Sequence, residues 1–541
     1  MIIYPKNDLL TYIPQNAIIT ERITERTFAM RKKPIYFERE REEAAEKKAP
    51  SAKKKDDEKP KYEFEEWEQQ CPVRKKCSGC QLSNMPYKRQ LEFKQKKVAM
   101  LLDRYAKIEP IIGMDVPYHY RTKVQSALTL NSHGDIISGV YQSSTGGVVY
   151  CKSGCLTEDK RTEKAAAAVR KLMRSFKVMP YDRRTGRGTL RHVLIKRGIK
   201  TDQLMIVLVS ATPVFPCGKK FAAALKEECH DVETVIFTVN RTETNLLVTG
   251  RETVLLGKGY IEDEMLGKRF RISAKSFYQI NPYQTEKLYS KAVELAQLDK
   301  NSKVIDAYCG TGTIGIIAAD KAGEVIGCEL NEDAVKDAVV NAKLNKCENV
   351  RFFCSDAGQF MQDAAYSGEF VPDVVFMDPP RAGADKAFIG ALCSIAPKRI
   401  VYISCNPETL ARDLRLLCAG GYKAETICPV DMFPHTQHVE CVALLSKLKS
   451  DQHIEVELKT DELDLTAAES KATYDEIKAY VKEHTGLTVS SLNIAQVKQK
   501  CGIIERENYN KAKTKDSRQP KCTKEKEEAI VEALRYFKMI S

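Results

Sequence analysis

The side chains best equipped for chemistry in this 541-residue chain fall between positions 304 and 440, and a functional reading turns on one cysteine among them. Cys405 stands in RIVYISCNPETLARD, directly after an apolar run and directly before a helix-like start. A thiolate is a strong nucleophile, but a free thiol ionises only near pH ~8.5 and needs local help. The helix start at ETLARD and Arg412 are the candidates for that help. Farther on, PHTQHVE carries His435, His438 and Glu440. Glu440 is the candidate general base, and the histidines read more simply as loop residues bonded to backbone.

A nucleophile and a base together are what methylation of a pyrimidine carbon demands. Carbon 5 of uracil is too weak a nucleophile to take a methyl group from a sulfonium. Addition of a thiolate at carbon 6 turns the ring into an enolate whose carbon 5 can attack. A base must then remove the carbon 5 proton so that the thiol can leave.

The segment KVIDAYCGTGTIG supplies a second element, in which Gly310, Gly312 and Gly315 follow a strand-like run and open a helix. Backbone there can approach a ligand closely. Glu329 closes the next apolar run, where a carboxylate can accept hydrogen bonds from ribose hydroxyls. This spacing fits a dinucleotide or S-adenosylmethionine. VVFMDPPR decides for the second: it ends a strand on Asp378 and then holds the backbone extended with two prolines. A dehydrogenase has no use for that element, whereas many methyltransferases acting on nucleic-acid bases carry Asp-Pro-Pro after the fourth strand.

Cys71, Cys77 and Cys80 form a C-x5-C-x2-C cluster that can bring three thiolates to one metal centre, with a fourth ligand from Cys151 or Cys155. Soft thiolates favour zinc or an iron–sulfur cluster.

In order, SCNPETLARD and HVE resemble the motifs of the RNA uracil-5-methyltransferase family, in which the first carries the nucleophile and the second the base. The resemblance covers roughly residues 71–447. It implies S-adenosylmethionine as cofactor, with contacts at Gln279 of SFYQINP, Tyr308, Glu329 and Asp378, and places the fourth cysteine ligand at Cys155 of a 4Fe-4S cluster, zinc being the runner-up. It also implies an RNA partner, 23S ribosomal RNA ahead of transfer RNA. Cytosine-5 methylation is disfavoured by SCNP together with HVE. A non-catalytic RNA-binding or ribosome assembly factor is the alternative of another class. Many members carry an N-terminal β-barrel for RNA, which residues 1–65 do not resemble.

Four regions must position these groups. Residues 1–65 shift into a Lys/Glu/Ala run and read as a charged, flexible segment. Residues 66–275 hold the iron–sulfur segment, an amphipathic helix with a cationic face around Lys88–Arg104, and a mainly β domain with one inserted helix at AAAAVRKLM. Residues 276–450 alternate strand-like and helix-like runs, the pattern of a Rossmann-like α/β methyltransferase domain, closed by a hairpin that delivers Glu440 to one edge of the sheet. Residues 451–541 read as a small helical module whose Lys-rich tail beside Tyr509 suits RNA. The net charge of +13 agrees with a polyanionic partner, as do the basic helix and RRTGRGTLRHVLIKRG. No leader is evident at MIIYPKNDLL, no apolar run approaches the ~20 residues of a membrane span, and the scattered cysteines suggest a reducing cytoplasm. A monomer is expected.

Overall fold

In the computed structural model the described residues are 65, 68–142, 145–241, 247–368, 370–448, 474–501 and 522–536. Most of the charged N-terminal segment, and Tyr509 with its basic tail, lie outside them. The chain divides into two compact units at Lys449 and Ser450.

The first unit contains an eight-stranded sheet. In spatial order its strands are Lys107–Ile108, Tyr422–Val430, Glu440–Lys447, Arg399–Ser404, Val374–Met377, Lys303–Ala307, Glu324–Glu329 and Val350–Cys354. The strands from Lys303 to Ser404 pair in parallel. Their runs are almost wholly apolar because helices cover both faces. Lys303–Ala307 pairs with Glu324–Glu329 on one side and Val374–Met377 on the other. The strand order therefore reverses beside it, and ligands bind beyond the carboxyl ends of strands at such a point. Those ends lead into Tyr308, Glu329, Asp378 and Cys405.

The expected hairpin forms, with Val430 paired to Glu440, but it does not lie at an edge of the sheet. Glu440–Lys447 is inserted antiparallel between Tyr422–Val430 and Arg399–Ser404, with Ser404 opposite Cys441. The apolar character of ECVALLSK on both faces suits an interior strand rather than a border.

A seven-stranded sheet runs Val148–Val149, Ile136–Tyr141, Lys123–Leu130, Leu190–Arg197, Leu204–Ser210, Val232–Val239 and Glu252–Leu256. Its side chains alternate between two cores, as the period of a strand requires. Val193, Ile195, Ile206 and Leu208 pack under two helices, Lys160–Ser175 and Gly218–Glu228, the second of which composition did not reveal. Leu194, Met205, Val207 and Val209 join the core that also holds Phe270, Leu288 and Val304. The mainly β region and the methyltransferase region thus share apolar interior.

The expected amphipathic helix spans Tyr87–Leu102 and buries Tyr87, Gln90, Lys94, Val98 and Leu102. Lys94, expected on a cationic outer face, is instead fully buried. In the second unit, helices Tyr474–Thr485, Ser491–Lys500 and Lys524–Tyr536 enclose a small core of Ile477, Val481, Ile494, Val497, Ile530 and Leu534. Among the described residues no helix is long and apolar enough to cross a membrane.

Candidate active site

The strand Lys303–Ala307 delivers Tyr308 in a left-handed backbone conformation, φ 66°, which a bulky residue adopts only when its surroundings hold it there. Gly310 follows at φ 56°, and its N–H donates to Glu329 Oε2 at 3.1 Å. The other Glu329 oxygen accepts from Asn331 N at 2.8 Å, so the carboxylate is fixed at the start of helix Glu332–Leu344. Gln279, Tyr308, Gly310 and Asp378 line one small cavity of about 40 Å³, together with Phe277 and Thr311. Sequence reading had placed these four at a cofactor, and the fold brings them to one place.

Gly315 serves differently from Gly310. Its N–H donates to Asp306 Oδ2 at 2.8 Å, and a Cβ there would stand 3.1 Å from that oxygen. Asp306 is fully buried, and its second oxygen, Oδ1, has no hydrogen-bond partner. Burial pushes its pKa up to about 7. Sequence reading missed this residue, although an acid inside the apolar run KVIDAY is a visible signal.

At the neighbouring strand end Cys405 is half-buried and stands two residues before helix Pro407–Ala419, whose first turn Asn406 caps through Glu408 N. The register that sets Ser404 opposite Cys441 sets Cys405 beside Glu440. Burial, then the charges of Glu440 and Asp378, raise the thiol to about 11. Glu440 is buried, and burial followed by the charge of Asp378 raises it to about 8. Burial alone lifts Asp378 to about 7. The charges of Glu440 and Asp378 thus oppose ionisation of the thiol, and that of Asp378 opposes ionisation of Glu440.

The cation beside this group is Arg381 of DPPR, which acts against the upward shifts of both Cys405 and Glu440. Arg412, the residue expected from sequence to assist the thiol, instead bonds Asp413 at 2.8 Å and Ala384 O at 2.9 Å. Seven residues on, it stands about two turns farther along the helix. Arg381 Nη2 meets His438 Nδ1 at 2.8 Å. His435 is buried, with Gln90 at one ring nitrogen and Pro117 O at the other, and stacks on Tyr118. It has the structural role that the simpler reading gave it.

The loop before Glu440 is held by a buried polar cluster. Lys94 Nζ donates to Asp431 Oδ1 at 2.5 Å and to Phe433 O at 3.0 Å, while Tyr87 OH donates to Asp431 Oδ2 at 2.7 Å. Asn281 and Gln284, from the start of helix Pro282–Ala296, bond Met432 O and Asp431 O.

A larger cavity, of about 550 Å³, is lined by Cys71, Cys77, Cys80, Cys151 and Cys155. Burial and then the neighbouring Cys155, Cys77 and Cys71 raise Cys80 to about 12. Cys77 Sγ accepts a hydrogen bond from Gly79 N at 3.4 Å, whereas Cys151 Sγ is turned to Gly154 O at 2.9 Å. Among the described residues no three His, Cys, Asp or Glu side chains stand close enough to hold a single metal ion.

Of the basic segment expected to hold phosphates, Arg197 pairs with Asp159 and Asp202, Lys196 is buried on backbone carbonyls, and Arg191 donates to Asn240 O at 2.9 Å. Arg184 and Arg187 are exposed.

Comparison with known proteins agrees with this geometry. Residues 86–448 match the profile of the tRNA (uracil-5-)-methyltransferase family. An uncharacterized RNA methyltransferase of Oceanobacillus iheyensis is 41% identical over 375 residues, 68% of this chain and 81% of the relative. One from Halalkalibacterium halodurans is 40% identical over 380 residues, 69% and 82% of the two chains. Among solved structures, the Pyrococcus abyssi tRNA (uracil-54, C5)-methyltransferase in complex with S-adenosyl-L-homocysteine is similar with a TM-score of 0.56 and 28% identity, over 68% of this chain and 86% of that one. The match spans the cofactor cavity and the Cys405–Glu440 pair alike: the chain belongs to the tRNA (uracil-5-)-methyltransferase family and is an RNA methyltransferase.

Proposed function

We propose that this enzyme methylates carbon 5 of a uridine in structured RNA through a transient bond between Cys405 and carbon 6. The observation that carries the reading is the register that seats Glu440 beside Cys405, with Asp378 charged into the same space. The thiol gives its proton to solvent and adds to carbon 6, and the ring becomes an enolate whose carbon 5 would take the methyl group as the methyl–sulfur bond of the donor breaks. Glu440 then takes the carbon 5 proton, the C6–S bond breaks, and the thiolate is regenerated. The upward shift of Glu440, caused first by burial, suits a base working near neutral pH.

S-adenosylmethionine, when bound, supplies the methyl electrophile. The residues fit it: Gln279, Tyr308, Gly310 and Asp378 share one cavity, Glu329 is fixed beside Gly310, and Asp306 keeps one buried oxygen without a partner. The structure of the Pyrococcus abyssi relative holds the demethylated product of that donor.

Cys71, Cys77, Cys80 and Cys155 are assigned to a 4Fe-4S cluster. All four line one cavity, and Cys77 accepts an N–H bond of the kind that tunes cluster sulfurs. Methyl transfer is polar and needs no electron, so the cluster's part is structural or RNA-positioning.

The target is a loop or extruded uridine, since Cys405 cannot reach a base stacked in a duplex. Large-subunit ribosomal RNA is the first substrate in this reading, as the sequence resemblance implies. Transfer RNA is the second, favoured by the substrate of the Pyrococcus abyssi relative. Mass-spectrometric mapping of 5-methyluridine in RNA from a deletion strain and its parent names the nucleoside and the molecule together. An unchanged map in both RNA classes would remove the proposal.

A further inference from the structure

Lys196 lies in strand Leu190–Arg197 of the seven-stranded sheet, yet its side chain serves the neighbouring region. It is only 4% exposed, and its Nζ donates to Ser273 O at 2.7 Å and to Ser276 O at 2.8 Å. These carbonyls are the two ends of a four-residue turn that ends three residues before Gln279. The turn is also tied to itself: Ser273 N donates to Ser276 Oγ at 2.9 Å, and Ser276 Oγ donates to Ser273 O at 3.1 Å. Ser273 Oγ donates to Asp337 Oδ2 at 2.7 Å, and Asp337 belongs to the helix that begins just past Glu329.

An ammonium group is a costly choice for this position. Burial and the facing Lys123 push its pKa down to about 7, while Asp337 and Glu252 work in the opposite direction. An apolar side chain would fill the space without that penalty, but it would take the Lys196 donor from Ser276 O and leave Ser273 O with Ser276 Oγ in place of the ammonium. The gain is a turn with fixed ends, and the residues that leave it, Phe277, Tyr278 and Gln279, form one wall of the small cavity.

We propose that Lys196 is a positioning residue for the methyl-donor site: from the mainly β region it clamps the Ser273–Ser276 turn and so sets the place of Gln279. The inference rests on the assignment of that cavity to S-adenosylmethionine. It makes donor affinity, rather than the thiol chemistry, depend on a side chain outside the methyltransferase sheet. Holding one side chain of a binding wall in place before the ligand arrives is worth up to about tenfold in affinity.

The test uses the full chain and S-adenosylhomocysteine as the probe, with affinity by calorimetry and turnover on RNA in parallel. Lys196→Met should weaken probe binding and raise KM for the donor about tenfold, with kcat changed less than about twofold and RNA affinity unchanged. Lys196→Gln, which keeps two N–H donors, should recover part of the loss. A merely structural role would lower kcat, RNA binding and thermal midpoint together. If Lys196→Met does not fold, the comparison is read from Lys196→Gln and from Ser276→Ala, which loosens the same turn without touching the amine. Probe affinity within twofold of the parent in the folded variants overturns the inference. Failure of the parent itself to bind the probe would instead overturn the cofactor assignment.

Discussion

Under the proposed mechanism Glu440→Gln removes a base and a negative charge from one place, and the two losses act on different halves of the reaction. Glu440 sits near 8 and Cys405 near 11, and after burial the largest influence holding the thiol up is the charge of Glu440. Adduct formation should therefore be no slower in the variant, and above about pH 8, where the parent's carboxyl is ionised, it should be faster. Resolution of the adduct loses its base and should slow by about 10²- to 10⁴-fold. In the parent, a carboxyl near 8 is ionised to ~9% at pH 7 and ~91% at pH 9. Turnover should rise roughly tenfold across that interval and then level, because the ionised form is the base. The variant should lack this rise. RNA carrying tritium at carbon 5 of uridine reports both halves: tritium release counts resolution, and a denaturing gel counts protein joined to RNA. Tritium release from the variant at the parent's rate and with the parent's pH limb refutes the assignment. So does a folded, RNA-binding variant that forms no denaturant-stable adduct while the parent turns over.

Other expectations follow from the same geometry. Lys94→Met leaves the fully buried Asp431 carboxylate with the Tyr87 hydroxyl alone, while Phe433 O keeps its bonds from Thr436, at a cost of about 3–5 kcal/mol. Adding Asp431→Leu should restore much of this in denaturant unfolding, and an additive double variant would argue against a coupled pair. Asp306 has a folded pKa near 7, above its unfolded value of ~3.9, so the folded chain holds a proton there that the unfolded chain releases. Its contribution to stability is greatest below about pH 4 and declines as pH rises to about 7. Asp306→Asn should therefore gain on the parent in thermal midpoint as pH rises from about 5 to 8, and a variant midpoint that stays level with or falls relative to the parent over that range contradicts this. Cys155→Ser should lose iron and visible absorbance from anaerobically purified protein, whereas Cys151→Ser, whose thiol is turned to Gly154 O, should retain most of both. Equal loss in the two would place the fourth ligand elsewhere.

What the amino-acid order determined was local. Glycines after an apolar run can only make a close backbone turn, and two prolines after Asp378 can only extend the chain. Alternating apolar runs and helical stretches through residues 303–404 specify a parallel sheet, whose strand ends are where a ligand goes. These signals lie within a few residues of one another, so the proposed cofactor set of Gln279, Tyr308, Gly310, Glu329 and Asp378 is legible from motif and resemblance.

What tertiary structure decided was which distant groups meet, because strand insertion and side-chain direction are not encoded by spacing. ECVALLSK reads as the border strand of a hairpin, and only its insertion beside Arg399–Ser404 puts Glu440 next to Cys405. Arg412 is seven residues from the thiol and points elsewhere, while Arg381, 24 positions upstream, faces it. Lys94 and Lys196 looked like surface charge for RNA, yet each is buried on partners 337 and 77 residues away that long-range packing alone supplies. A basic side chain carries the same letter whether it meets water or a buried carbonyl, and the difference is set by what the rest of the chain folds over it.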